Sequence, residues 1–111
     1  MTATAKWLKA AQKASKKGHR AEGGFLTLCS RIPDADITDE LVLAIVRRLG
    51  VLANEKRAIY ERGDRENISK FDEFSAKHLR WENSLWRVEQ EAKMLGWMLE
   101  RVAPRFAQRD T

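Results

Sequence analysis

Few side chains in this 111-residue chain have the type and spacing that chemistry needs. His78 and Glu82 stand one helical turn apart, where an imidazole and a carboxylate can share a metal ion. No third ligand accompanies them, and His78 interrupts an otherwise apolar repeat, so a structural histidine is the expected role. Asp34, Asp36, Asp39 and Glu40 form an acidic cluster that turn formation and helix capping account for without catalysis. Cys29 has no second cysteine to pair with and reads as a small half-buried hydrophobe in a reducing compartment. The Arg62-Gly63-Asp64 and Asn67-Ile68-Ser69 triplets are accidental matches in a chain with no export signal. A glycine-rich phosphate loop, a metalloprotease helix motif and paired cysteines are all absent from the sequence. No enzyme activity, cofactor or metal is expected.

Hydrophobic residues make up 43% and charged residues 33% of the chain, enough for one domain with a thin core. No run of about 18 apolar residues exists to cross a membrane, and no apolar stretch follows the N-terminal lysines as in a secretory signal. A cytoplasmic protein is expected. The net charge of +5 is uneven. Lys6, Lys9, Lys13, Lys16, Lys17 and Arg20 meet no acid within residues 1–20, whereas the rest carries fifteen basic and sixteen acidic side chains. Basic character belongs to an arm, not to the body.

Three domains of organisation follow: a basic N-terminal arm over 1–24, a helical hairpin over 25–104 and a tail over 105–111. The alanine-rich arm predicts a marginal helix from Ala5 to Lys17 with Gly18 as its stop, docked weakly through Trp7 or frayed. Gly23 and Gly24 are expected to break the chain. Phe25, Leu26, Leu28 and Ile32 suit a short helix ending before Pro33. Thr38 or Asp36 can cap the next helix, with Asp39 and Glu40 in its first turn. Val42, Ile45, Leu49, Leu52 and Ile59 then mark one face of a helix ending near Gly63. Phe71, Phe74, His78, Trp81, Leu85, Val88, Ala92, Leu95, Leu99 and Val102 alternate by three and four without a break, and Pro104 is expected to halt that helix. A charged turn, "ERGDRENIS", joins the two long helices, so they should be antiparallel neighbours.

Two helices leave their flanks wet. Trp86, Met94, Trp97 and Met98 lie off the seam of the last helix, and burying one large aromatic is worth roughly 2–3 kcal/mol. A homodimer forming a four-helix bundle is the favoured solution. The other is that the arm and the Phe25–Ile32 segment cover these side chains within one chain. The fold class expected is all-α: a long antiparallel hairpin, dimerising into a four-helix bundle, with a short N-terminal helical arm.

The stretch "IPDADITDELVLAI", Ile32 to Ile45, resembles the start of the first long helix of the TraM anti-activators. That pattern reads apolar-Pro-Pro-Ala-Asp-apolar and, a few residues later, Ala-Ile. Ile32, Pro33, Ala35, Asp36, Ile37, Ala44 and Ile45 match it, while Asp34 replaces the second proline. "MLGW", Met94 to Trp97, is similar to the Leu-Gly-aromatic end of the family's second long helix, and Val88, Leu85, Trp81 and Phe74 run in step behind it. The resemblance spans Phe25 to Trp97. It implies a dimeric helical protein that binds a LuxR-type quorum-sensing activator, TraR, stops it binding DNA, and so restrains conjugal plasmid transfer. The longer lysine-rich arm, a different hairpin loop and a helix continuing to Val102 depart from the pattern.

Three functions are compatible with such a chain. A stoichiometric inhibitor of a transcriptional activator needs a stable surface and no catalytic residue. A nanomolar complex, about −12 kcal/mol, suffices for it by mass action. The expected contact residues are Trp86, Lys93, Met94 and Trp97 on the last helix, with Arg47 and Arg48, which otherwise are merely solvated. The alternative is a small nucleic-acid-binding protein acting through the arm, with a log–log salt slope of about −5 if all six cations engage. The neutral body and the lack of a recognition helix argue against direct DNA binding. A purely structural bundle, such as an assembly chaperone or secretion adaptor, is the third.

Overall fold

The computed structural model describes residues 2–68 and 75–109, and those residues are helical apart from short connections. Helix α1 spans Ala3–Lys17, α2 Glu22–Ser30, α3 Asp39–Arg65 and α4 Ala76–Arg109. No strand occurs among the described residues. Phe71 and Phe74, expected in the core, lie outside them.

Local chemistry sets the boundaries. The Thr2 hydroxyl accepts from the Ala5 amide at 3.1 Å and caps α1. Gly18 ends α1 at φ +69°, a conformation that disfavours any Cβ. The chain turns through a 3-10 segment, Gly18–Ala21, and enters α2 at once. Gly23 and Gly24 therefore do not break the chain; they sit in the first turn of α2. Their entropic cost, up to about 1 kcal/mol each relative to alanine, is offset where Phe25 and Cys29 bury one turn apart. After Pro33 a second 3-10 turn, Asp34–Asp36, leads to Thr38, whose hydroxyl accepts from Leu41 N at 3.2 Å. Thr38, not Asp36, is the cap of α3.

Helices α3 and α4 form an antiparallel hairpin. Arg48 pairs with Glu91 and Lys56 with Glu89, and the Trp81 indole reaches the Ile59 carbonyl at 2.9 Å. Partner numbers fall on α4 as they rise on α3, which is the antiparallel register. Helix α3 ends at Arg65 and α4 begins at Ala76.

Two further expectations are corrected. Pro104 does not stop α4, which runs on to Arg109. Proline removes one amide donor and crowds the carbonyl four residues back. That residue, Glu100, is exposed and can be hydrated, while the next turn is anchored by Phe106 against the core and by Arg105 on the Ile32 carbonyl at 2.7 Å. The inward face of α3 is also rotated. Leu41, Ile45 and Leu52 are buried, whereas Val42, Leu49 and Ile59 are only partly so. On α4, Val88 and Leu95 are buried and Trp81, Leu85 and Leu99 half-buried.

The reason is that α4 serves two layers. One face meets α3; another meets α1 and α2, which pack along it. Trp7 and Ala11 of α1, Phe25 and Cys29 of α2, and Ile32 and Ile37 join Met94, Met98 and Val102 in one core. The arm is thus a docked helix, not a frayed one. Boundaries drawn at 24/25 and 104/105 fall inside α2 and α4. The body measures 54 × 26 × 24 Å.

Candidate functional site

The expected contact residues separate sharply in space. Met94 is fully buried beneath α1 and α2, with Met98 beside it. It offers nothing to a partner, and the cover that a second copy was expected to supply comes from the chain's own arm. Arg48 is engaged as well: its guanidinium donates to both Glu91 oxygens, at 2.7 and 3.1 Å. That carboxylate holds the Arg48 pKa above its ordinary value. Arg47, one residue away, is exposed.

Trp86, Lys93 and Trp97 remain near the surface but have structural duties. The Trp86 ring lies over Gly18, where a Cβ would stand 3.3 Å from its Cζ2. Lys93 reaches Glu22 at 2.8 Å and its ammonium sits 4.9 Å from the Trp97 ring centroid. Glu22 is a hub. It also accepts from Gln90 at 3.3 Å and meets His19 Nδ1 at 2.9 Å. The Lys93 hydrogen bond, opposed by partial desolvation and helped by Gln90 and His19, lowers its pKa to about 2. This cluster ties the start of α2 to α4. It is a clasp.

His78 is half-buried on α4. Its Nε2 meets Glu82 at 3.0 Å and its ring lies edge-on to Trp81, 6.0 Å between centroids. Among the described residues no group of three or more His, Cys, Asp or Glu could hold a metal. Cys29 is fully buried, and burial pushes its thiol up to about 11.

The outer flank of α3, where Val46, Ala53 and Tyr60 widen the apolar stripe, is a further surface. At 100° per residue, Arg48 and Leu49 flank the inward face on opposite sides. The Arg48 side is roofed by α1, whose Ala5, Leu8 and Gln12 share a hollow with Arg48 and Glu91. On the Leu49 side no helix covers the hairpin among the described residues. There Val42, Leu43, Val46, Leu49, Gly50, Ala53 and Tyr60 form a strip without a charge from Val42 to Ala53. Leu43 and Val46 are 47% and 49% exposed and Tyr60 44%. Lys56 and Glu89 bridge at 3.3 Å beside it. The signal was present in the sequence as the second apolar row of α3, which widens the stripe beyond one seam.

The arm presents the opposite chemistry. Lys6, Lys9, Lys13, Lys16 and Lys17 are exposed; the Lys6 ammonium lies 4.9 Å from the Trp7 ring centroid, and the other four share the outward face of α1, away from Trp7 and Ala11. None forms an ion pair among the described residues.

No family model, curated protein or solved structure matches this chain.

No helix of the described residues is long and apolar enough to cross a membrane.

Proposed function

We propose that this chain is a stoichiometric protein-binding regulator of the TraM anti-activator kind, working as a homodimer on a LuxR-type transcriptional activator. The observation that carries the reading is the strip on α3 from Val42 to Tyr60. Its first three turns, Val42 to Ala53, are apolar and free of charge, with Arg57 on the same face before Tyr60, and have the composition of a surface meant to be covered. Leu43 to Tyr60 spans about 25 Å at the helical rise, long enough for a standard interface of about 800 Å² per partner. Pairing two hairpins along it makes a four-helix core from α3 and α4 of each copy, with both arms outside. The likeness of Ile32–Ile45 to the family's helix start supports the same reading, since that stretch supplies the cap and first turns of α3.

Inhibition then needs no catalytic group, only occupancy of the activator in place of DNA. The dimer leaves Trp86, Trp97, Arg47 and the α1 face outside its seam. These are the surfaces for the activator. The experiment is co-expression with a LuxR-type activator: the two should co-elute, and adding this protein should release the activator from promoter DNA in a mobility shift. An activator that stays on its DNA at a tenfold excess of this chain, about 1.4 kcal/mol beyond equivalence, refutes the function.

A further inference from the structure

Between α1 and α2, in the elbow made by the 3-10 segment, lies an open groove of about 670 Å³. Its floor is apolar: Ala14, Gly24 and Leu28, the last 37% exposed. Its rim is cationic, formed by Lys13, Lys17 and Arg20. All three are exposed, and none forms an ion pair among the described residues. The nearest acid in sequence, Glu22, is already held by Lys93, Gln90 and His19.

We propose that this groove docks an acidic amphipathic helix of a partner protein, its apolar face on Ala14, Gly24 and Leu28 and its carboxylates against Lys13, Lys17 and Arg20. Two independent features choose this occupant. The small residues of the floor let a helix backbone approach closely, as helix-in-groove recognition requires. Three unpaired cations beside an apolar floor select for acids flanking an apolar stripe, by charge complementarity. A nucleic-acid backbone would use the cations and leave the floor wet. A bilayer would need its apolar contacts on a convex or flat face, whereas here they lie between two helices. Rigidity helps: Trp7 is buried and bonded to Asp36 at 2.9 Å, so the cations stand on a docked helix and little order is lost on binding.

This inference rests on the proposed function for the α1 face that it narrows to one groove, and a designed peptide tests it with no activator present. Either can therefore fail alone. The probe is a labelled helical peptide with leucines at helical spacing on one face and glutamates elsewhere, titrated with the full chain by fluorescence anisotropy. A peptide with lysine for glutamate and a plain DNA duplex are run beside it. The acidic peptide should bind saturably and at least about tenfold tighter than the basic one. Lys13→Glu with Lys17→Glu should weaken it at least about tenfold. Gly24→Trp should do the same without charge change. A Cβ at Gly24 meets nothing within 4 Å, so the ring fills the groove while α2 keeps its shape, checked by circular dichroism. No saturable binding below about 100 μM, equal affinity for both peptides, or an unaffected Gly24→Trp variant overturns the proposal. So does duplex DNA that binds through the same lysines more tightly than the acidic peptide.

Discussion

The indole Nε1 of Trp7 donates to Oδ2 of Asp36 at 2.9 Å, joining α1 to the turn that launches α3. The bond is part-buried and its acceptor is a carboxylate, so it belongs to the stronger class of hydrogen bonds. It also explains why a lysine-rich helix that is marginal alone is ordered here. Trp7→Phe keeps most of the ring and removes the donor. Stability in urea should fall by about 1.5–3 kcal/mol, the usual worth of a hydrogen bond to a charged group. Trp7→Ala should cost about 3–5 kcal/mol.

Gly63 lets the hairpin close. A Cβ there would lie 2.6 Å from Nε1 of Trp81, the atom that donates to the Ile59 carbonyl. Helix propensity alone would favour alanine by up to about 1 kcal/mol, but the contact is with a ring already bonded and packed on Tyr60, 5.9 Å between centroids. Gly63→Ala should therefore destabilise, by about 1–3 kcal/mol, as overpacking does. Gly50, in the same helix, has nothing within 4 Å of its Cβ position. Gly50→Ala should raise the urea midpoint, by up to about 1 kcal/mol in stability. Opposite signs from two identical substitutions in one helix are the test.

Glu22 gives the fold an acid-sensitive clasp. Its folded pKa, about 2, lies below the ordinary 4.5 because Lys93 holds the carboxylate. A carboxylate depressed in the native state contributes stability above its unfolded pKa. That contribution is complete above pH 4.5 and is lost as the pH falls toward 2. Glu22→Gln should flatten this part of the pH–stability curve, read from urea midpoints across the window. A curve as steep as wild type means that other carboxylates carry the effect.

Cys29 should be silent in the native state. With the thiol fully buried and pushed up to about 11, almost none is thiolate at pH 8. A disulfide reagent should give no colour until urea exposes the chain. Rapid native reaction would mean that α2 lifts from α4.

The hairpin was legible because its evidence is local. A capping threonine followed by two acids, and a long three–four repeat, each act within one helix. The rotation of α3 was not legible, and the cover of Met94 and Met98 by the arm was read only as the less favoured of two solutions, because a single seam assigns one inward face to a helix that has two. Helix α4 packs α3 on one side and α1 with α2 on the other, and only the second contact explains those methionines. A sign of it was there: Trp7, Ala11 and Ser15 recur at four-residue spacing opposite the lysines, and Phe25 and Cys29 do the same. Small residues in that row looked too weak to bury a face. Among the expected contact residues, Met94 is buried and Arg48 is paired within the chain, since charge and bulk do not reveal whether the chain itself supplies a partner. Glu91 and the arm do.

In the proposed dimer the seam is the outer flank of α3, not the tryptophans of α4. Val46 lies near the middle of the uncharged strip and is 49% exposed, so a polar side chain there costs the single chain little. In a two-fold interface one substitution acts twice, and two glutamates brought together in an apolar seam cost several kcal/mol, about 2 or more. Val46→Glu should therefore weaken self-association at least about thirtyfold in sedimentation equilibrium, with helicity unchanged. Val51 is the control. It is 46% exposed, as open as Val46, but its helical position points away from the strip. Val51→Glu should leave the association constant as it was. Equal losses for both variants would mean that added charge, not the position of the seam, governs association, and a wild-type chain monomeric at every concentration would remove the seam altogether.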